Sequence, residues 1–255
     1  MALLQVSGLT KTFGGLMAVA GLSFDVQAGE LLSIIGPNGA GKTTLFNLLT
    51  GIYRPSSGKI RFDGNDITGC KPYEATRHGI ARTFQRTTIF GQATALDNVI
   101  IGQALHEKAG VWGSILKTRA TRREEQQVTE RAREILSFVG LSDKETKLAG
   151  NLTEEAQKRL SIAMVLATGP KLLLLDEPTG GVNLEEIGGL IELVLKVRKS
   201  GVTICLIEHK MRMVMSISDR ILVLNYGENI AEGTPQEVAN NKEVIKAYLG
   251  VRRVA

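Results

Sequence analysis

Cysteine is scarce in this sequence. The 255 residues include two cysteines, Cys70 and Cys205, which lie far apart along the chain. This usage excludes the disulfide framework of small secreted domains and the paired spacing of a zinc site. Cys205 lies inside the apolar run of residues 202–207, which predicts a small core residue. We therefore expect a protein of the reducing cytosol.

Long apolar runs are also missing. No stretch approaches the roughly 20 consecutive apolar residues that a bilayer-spanning helix needs. The first ten residues, MALLQVSGLT, lack a basic segment followed by a long apolar one, so we expect no signal peptide. If the protein works at a membrane, other chains have to supply the spanning segments.

The excess of positive charge is small. The formal net charge is +5, and the densest basic cluster comprises Lys117, Arg119, Arg122 and Arg123. Such a cluster suits either a nucleic-acid patch or the solvated face of a helix. Glu124 and Glu125 follow at once and favour the helix face, so we expect no nucleic-acid partner.

Strand and helix patterns alternate clearly after residue 151. We predict, in order, helix 154–168, strand 172–175, helix 184–199, strand 202–207, helix 211–218 and strand 220–225. This alternation indicates an α/β fold with a mostly parallel sheet that is covered on both faces.

Two other regions have a different character. Residues 1–30 alternate apolar and polar positions, and residues 58–67 form a hairpin pattern around Asp63-Gly64, which together predict a small antiparallel sheet. Residues 122–139 place apolar side chains at helical spacing and predict a mainly helical insert. We expect one domain, with a core and β lobe at about 1–85 and 160–255 and a helical subdomain at about 86–159.

Residues 36–43, GPNGAGKT, fit the phosphate-loop pattern G-x-x-x-x-G-K-[ST]. The apolar run 31–35 before them predicts a buried strand, and residues 44–49 after them predict a helix. A glycine-rich turn in this setting aims backbone N–H groups and a helix N-terminus at a phosphate. Lys42 can neutralise β- and γ-phosphate oxygens, and Thr43 can offer its hydroxyl to Mg²⁺.

Acidic and imidazole groups follow two of the predicted strands. Asp176 and Glu177 come directly after the apolar run 172–175, at the sheet edge where α/β proteins bind ligands. Asp176 suits a Mg²⁺ ligand, and Glu177 suits a general base for an attacking water. His209 ends the run Ile207-Glu208-His209; it either positions the water and γ-phosphate or is an ordinary capping or core histidine.

Taken together, these motifs resemble the ATP-binding cassette (ABC) ATPases. The matching segments, in order, are GPNGAGKTT at 36–44, ARTFQ at 81–85, a signature region near 152–160, LLLLDEP at 172–178 and IEH at 207–209. The resemblance implies a P-loop NTPase fold with a RecA-like core, a small antiparallel β lobe and a helical subdomain. It implies hydrolysis of ATP with Mg²⁺, catalysed by Glu177 and His209.

The same resemblance assigns the binding residues. The nucleotide contacts would be Phe13, Asn38, Gly39, Ala40, Gly41, Lys42, Thr43, Thr44, Gln85, Thr153 and Asp176, and the metal ligands would be Thr43, Gln85 and Asp176. Phe13 lies where the family stacks adenine, but it could also be a core aromatic. Gln85 could also be an ordinary surface glutamine.

The resemblance extends to one subfamily, the larger ATP-binding subunit of branched-chain amino acid importers. It is carried by the opening LTKTFGGLMAVAGLSF, by ARTFQRTTIF, and most specifically by the ending ILVLNYGENIAEGTPQEVANNKEVIKAYLG. It implies a second ATPase chain, identical or a paralogue, and two transmembrane permease subunits, with the surface around residues 85–98 receiving a cytoplasmic helix of the permease. A periplasmic binding protein would act indirectly, and the chain would lie at the cytoplasmic face of the inner membrane.

The signature departs from the family pattern LSGGQ. Thr153 takes the serine position, while Glu154 and Glu155 replace both glycines. In the family this segment faces the γ-phosphate held by the other cassette, where two carboxylates would repel the anion. One hypothesis is that this chain hydrolyses ATP with a partner's normal signature while its own serves a weakened site. The other is that both sites work because the glutamates swing aside.

Two rival classes stay open at this stage. One is a soluble cassette protein that acts on ribosomes or DNA, although such proteins usually carry two cassettes or a long coiled-coil insert, and neither is seen here. The other is a regulatory cassette that binds ATP without hydrolysing it, which only the altered signature favours.

Overall fold

The computed structural model describes residues 2–83, 89–103, 119–183 and 185–250. The chain divides into two compact units. The first comprises Met1–Arg82, Lys171–Pro178 and Val194–Ala255, and the second comprises Thr83–Pro170 and Thr179–Leu193.

The elements are numbered in chain order. The strands are β1 Ala2–Phe13, β2 Leu16–Gln27, β3 Leu31–Ile35, β4 Ser57–Phe62, β5 Asn65–Asp66, β6 Ile80–Arg82, β7 Leu172–Asp176, β8 Thr203–Ile207, β9 Arg220–Asn225 and β10 Glu228–Gly233. The helices are α1 Lys42–Leu49, α2 Pro72–His78, α3 Ala95–Gly102, α4 Arg119–Val139, α5 Glu154–Leu166, α6 Ile187–Lys199, α7 Met211–Ile217, α8 Pro235–Ala239 and α9 Lys242–Gly250. No helix in the described ranges is long and apolar enough to cross a membrane.

A six-stranded sheet with the order β10-β9-β3-β8-β7-β6 forms the centre of the first unit. Its pairs are parallel except for the antiparallel pair β9–β10. Strands β3, β7 and β8 are buried along their whole length. Their mainly apolar sequences fit strands that are covered on both faces of the sheet. The predicted parallel sheet is confirmed, as is the burial of Cys205 in its core.

The predicted antiparallel sheet is also confirmed, with the order β2-β1-β4-β5 and a turn at Asp63-Gly64, where φ is 47° and 79°. Strands β1 and β2 have 12 residues each, which is longer than the short strands expected from residues 1–30. The register of β1 shifts between Val6 and Leu9, around Gly8 with φ of 57°. Such a bulge interrupts the alternation of apolar and polar residues. The sequence pattern therefore predicts the end of a strand at a point where β1 in fact continues.

The second unit is built around three helices, with α3 packed against both α4 and α5. On α4, Ala132, Leu136 and Val139 are fully buried, as their helical spacing predicts. The backbones of α3 and α5 approach closely at Gly102, since a Cβ there would collide with the Met164 carbonyl. Helix α6 begins at Ile187, three residues later than the predicted start at 184.

Gly36 joins the central sheet to the loop before α1 and has φ of 153°. A Cβ there would overlap the Leu224 carbonyl oxygen of β9. We expect Gly36→Ala to lower the free energy of unfolding by roughly 3 kcal/mol, through backbone strain and overpacking. Denaturant unfolding of the full chain measures this loss.

Gly14→Ala is the matched control, because Gly14 has φ of 56° but open space around its Cβ position. We expect it to cost about 1 kcal/mol, from backbone strain alone. Equal losses in the two variants would contradict the close approach of Leu224 as the reason for glycine at position 36.

Candidate functional site

The phosphate loop, residues 36–43, connects β3 to α1 through three glycines with positive φ. The values are 153° at Gly36, 80° at Gly39 and 100° at Gly41. Gly41 caps α1 in the left-handed conformation and offers no side-chain hydrogen bond to the helix. The N–H groups of the first turn therefore point out of the loop without a side-chain cap, which is the arrangement that binds an anion.

Lys42 is the first residue of α1, and its side chain folds back over the loop. Its ammonium donates hydrogen bonds to the carbonyl oxygens of Gly36 at 2.7 Å and Pro37 at 2.9 Å. Burial lowers the pKa of Lys42 below its ordinary value, while the nearby charges of Glu177 and Asp176 oppose that shift. A cation held by neutral carbonyls in a largely buried place fits a phosphate oxygen.

The remaining loop residues differ in exposure. The exposed ones are Asn38, Gly39 and Thr43, whereas Ala40 is buried and Thr44 is half-buried. Gly227, in the β9–β10 turn, donates its N–H to the Ala40 carbonyl at 3.0 Å. The loop is therefore anchored to the central sheet while its phosphate-facing residues stay accessible.

Glu177 and His209 meet beside the loop. Asp176 is paired with Ile207 across β7 and β8, so the residues that follow these strands are neighbours. Glu177 has φ of 48° and donates its N–H to the Ile207 carbonyl at 2.9 Å. Its Oε1 lies 2.8 Å from His209 Nε2, and the two side chains are 25% and 42% exposed. A carboxylate and an imidazole in contact at an accessible strand end can orient a water molecule.

Glu208 directly precedes His209, and the sequence did not predict a functional role for it. Its side chain is buried, and its Oε2 accepts the N–H groups of His209 at 2.8 Å and Lys210 at 3.2 Å. The carboxylate therefore fixes the turn that carries His209. Its signal in the sequence is an acidic residue directly after an apolar strand.

Arg82 and Asn47 were also missed. Arg82 ends β6, and its guanidinium contacts Asp176 Oδ2 at 2.7 Å and Asn47 Oδ1 at 2.6 Å. Both members of the Arg82–Asp176 pair are buried. Strand β6 has three residues, too few for any periodicity to mark Arg82 as inward-facing.

Phe13 is 41% exposed, so it is not part of the core. Its ring lies edge-on to Tyr53, with centroids 5.1 Å apart, and Lys11 Nζ lies 4.9 Å from its centroid. Gln85 lies outside the described residues, as does Lys117 of the basic cluster.

The signature segment begins α5 in the second unit. Thr153 caps the helix by accepting the Ala156 N–H at 3.3 Å, as its residue type predicts. Glu155 forms an ion pair with Arg159, which also donates to the Val139 carbonyl at 2.9 Å. A carboxylate oxygen of Glu154 lies 3.0 Å from the Cβ position of Gly181. Each glutamate is therefore turned toward neighbours within its own chain.

The sheet order, the phosphate loop and the strand-end acids define a P-loop NTPase. A sequence model of the ABC transporter family matches residues 19–180, and one described as branched-chain amino acid ATP-binding cassette transporter matches residues 228–254. The chain belongs to the ABC transporter family, within which it is an ATP-hydrolysing, ATP-binding subunit.

Curated relatives match over nearly the whole chain. The high-affinity branched-chain amino acid transport ATP-binding protein BraF of Pseudomonas aeruginosa is 45% identical over 97% of this chain and 98% of its own length. The corresponding protein LivG of Salmonella typhimurium is 44% identical with the same coverage.

Solved structures share the fold. The ADP conformation of an ATP-binding cassette of an ABC transporter has a TM-score of 0.85 at 34% identity, over 98% of this chain and 99% of that one. CbiO1 from Clostridium perfringens has a TM-score of 0.81 at 31% identity, over 99% and 97%.

Proposed function

We propose that this protein drives an importer of branched-chain amino acids, or of related amino acids and amides, by hydrolysing ATP. The names of the full-length relatives and the match at residues 228–254 support this substrate class. The contact between Glu177 and His209 beside Lys42 is the observation that carries the hydrolytic role.

The phosphate loop binds the nucleotide in this proposal. Lys42 and the N–H groups of the loop hold the β- and γ-phosphates, and Phe13 stacks on adenine. The phosphate contacts are Asn38, Gly39, Ala40, Gly41, Lys42, Thr43 and Thr44. Thr153 would contact the nucleotide of a second cassette.

Mg²⁺ fits the residues of this site. Thr43 is an exposed residue in the first turn of α1, and the buried carboxylate of Asp176 is close enough to affect the pKa of Lys42. Thr43, Asp176 and Gln85 would hold the ion, and hard oxygen ligands of this kind suit it. When bound, Mg²⁺ neutralises negative charge on the phosphates.

Glu177 acts as the general base in the hydrolytic step. Its carboxylate accepts a proton from the water that attacks the γ-phosphorus, and the bond between that phosphorus and the β–γ bridging oxygen breaks. His209 Nε2 contacts the same carboxylate at 2.8 Å, which fixes its orientation in this state. When the nucleotide is bound, the imidazole would exchange that contact for a hydrogen bond to a γ-phosphate oxygen. Lys42 and the loop N–H groups stabilise the charge on the phosphates.

The partners follow from this assignment. A second ATPase chain, identical or a paralogue, completes the composite site, and two permease subunits hold the pair at the cytoplasmic face of the inner membrane. A periplasmic binding protein delivers the substrate to the permeases. The whole chain acts as one ATPase domain, with the helical part near residues 86–159.

The catalytic role of Glu177 can be tested by replacing it with an amide. We expect Glu177→Gln to lower hydrolysis between about a hundredfold and ten-thousandfold, because the general base is lost while the shape is kept. Leucine uptake should fall with it, and ATP affinity should be retained. Phosphate release and labelled leucine uptake by the reconstituted transporter measure the effect.

Glu192→Gln is the control, since Glu192 is exposed on α6. It should behave as wild type. Full hydrolysis by Glu177→Gln would disprove the assignment of the base. Wild-type ATP turnover that no branched-chain amino acid and no related amino acid or amide stimulates would disprove the substrate class alone.

The contacts of Glu154 and Glu155 within this chain favour the hypothesis that the site which its signature segment completes on a second cassette works normally. Glu155 is neutralised by Arg159, and these side chains are 17% and 19% exposed. We expect Arg159→Ala to release the carboxylate and slow turnover of the complex about fivefold, from roughly 1 kcal/mol of repulsion on the facing triphosphate. Turnover of the assembled transporter measures this change.

A second substitution isolates the charge. Arg159→Ala with Glu155→Ala should restore most of the lost rate, because both variants lose the Arg159 contact with Val139 and only the single variant keeps the carboxylate. Equal rates in the two variants would show that the freed charge is not the cause.

Phe90 is the candidate contact for the permease. Its side chain is 51% exposed, while its backbone is fixed by Asn98, which accepts from the Phe90 N–H at 2.8 Å and donates to its carbonyl at 3.1 Å. We expect Phe90→Ala to reduce co-purification with the permeases about tenfold or more, as for a central aromatic of an interface.

Tyr73→Ala provides the comparison, because Tyr73 is 49% exposed on α2. It should leave assembly unchanged. Normal recovery of permeases with Phe90→Ala would exclude Phe90 from the interface.

A further inference from the structure

Arg82 occupies a buried position between the central sheet and the helix of the phosphate loop. It is the last residue of β6 and pairs with Leu174 on β7, two residues before Asp176. Its side chain is 5% exposed, and that of Asp176 is 2% exposed. A charged pair buried to this degree persists where its geometry is well satisfied.

The guanidinium contacts two different elements. One nitrogen, Nη2, lies 2.7 Å from Asp176 Oδ2, and the other, Nη1, donates to Asn47 Oδ1 on α1 at 2.6 Å. The guanidinium carbon also lies 5.4 Å from the centre of the Phe46 ring, again on α1. Arg82 thus joins the strand end that carries Asp176 to the helix that begins with Lys42.

The planar fork of arginine explains this residue type. Both donor nitrogens have fixed directions, so an acceptor on each side fixes the position of the whole group. A lysine has the charge but a single nitrogen on a flexible chain, and it would not hold both acceptors in one plane. The orientation of the Asp176 carboxylate is therefore coupled to the position of α1.

We propose that Arg82 is a positioning residue that orients the Asp176 carboxylate toward the phosphate loop for Mg²⁺ and the nucleotide. This inference rests on the proposed metal role of Asp176. Residues of this kind, one contact away from a metal ligand, typically change metal affinity by about 10–100-fold when replaced. Arg82 acts through Asp176 and through Asn47, without contacting the reacting atoms.

The test measures binding of a fluorescent ATP analogue to the full-length chain, once with Mg²⁺ and once with a chelator. The quantity of interest is the ratio of the two affinities, which isolates the contribution of the metal. We expect wild type to bind more tightly with Mg²⁺ and Arg82→Lys to lose about tenfold or more of that ratio. Affinity in the chelator should change by less than about twofold, because the phosphate loop is intact.

Two further variants separate positioning from general stability. Asn47→Ala removes one anchor of the guanidinium and keeps the Arg82–Asp176 pair, so it should lower the ratio by a smaller factor. Arg61→Lys, at an exposed arginine of β4, should leave the ratio unchanged. Thermal unfolding of each variant shows that it is folded, and Asn47→Ala decides the question if Arg82→Lys does not fold.

The outcomes are distinct. If wild type binds the analogue more tightly with Mg²⁺ than with chelator, and Arg82→Lys or a folded Asn47→Ala keeps the same ratio of affinities, the positioning role alone is overturned. If Arg82→Lys loses affinity for the analogue equally with Mg²⁺ and with chelator, the positioning role is also overturned, since a structural defect lowers both affinities. A wild-type ratio of one would overturn the proposed metal site and this inference together.

Discussion

The site depends on the parallel pairing of β3, β8 and β7. Ile34 and Asp176 are both in register with Ile207, so the three strands end at nearly the same level of the sheet. The phosphate loop, the Asp176-Glu177 pair and His209 then follow at one edge. A one-residue slip in any of these pairs would turn the side chains to the opposite face and separate the groups.

Charge balance around this edge is a second constraint. Burial lowers the pKa of Lys42, and the carboxylates of Glu177 and Asp176 oppose that shift by stabilising the charged form of the lysine. Arg82 adds a second positive charge, 2.7 Å from Asp176 Oδ2. The arrangement places two cations and two anions in a largely buried volume, which would be costly for any one of them alone.

The sequence predicted the parts of the fold that have strong periodic or apolar signals. The buried strands β3, β7 and β8 were found because strands covered on both faces are written as continuous apolar runs. The lengths of β1 and β2 were not predicted, because a bulge near Gly8 breaks the alternation of apolar and polar residues along β1. The start of α6 was placed too early, at 184, since helical spacing alone does not mark where the turn before it ends.

The candidate site divides in the same way. Lys42, Asp176, Glu177 and His209 could be predicted because each lies in a motif tied to the end of a strand or the start of a helix. Arg82 was missed because β6 is too short to show a pattern, and its partner Asn47 is distant in sequence. The contacts of Glu155 were missed because a carboxylate four residues before an arginine is equally consistent with a solvated pair.

The ion pair between Glu155 and Arg159 also limits how this chain can exchange segments with its relatives. Arg159 lies outside the five residues 152–156 that correspond to the family signature, yet it holds the side chain of Glu155 and donates to Val139 at 2.9 Å. A chimaera that imports only those five residues from a glycine-containing relative leaves a half-buried guanidinium without its carboxylate. The inherited unit is therefore longer than the motif, and positions 155 and 159 have to change together.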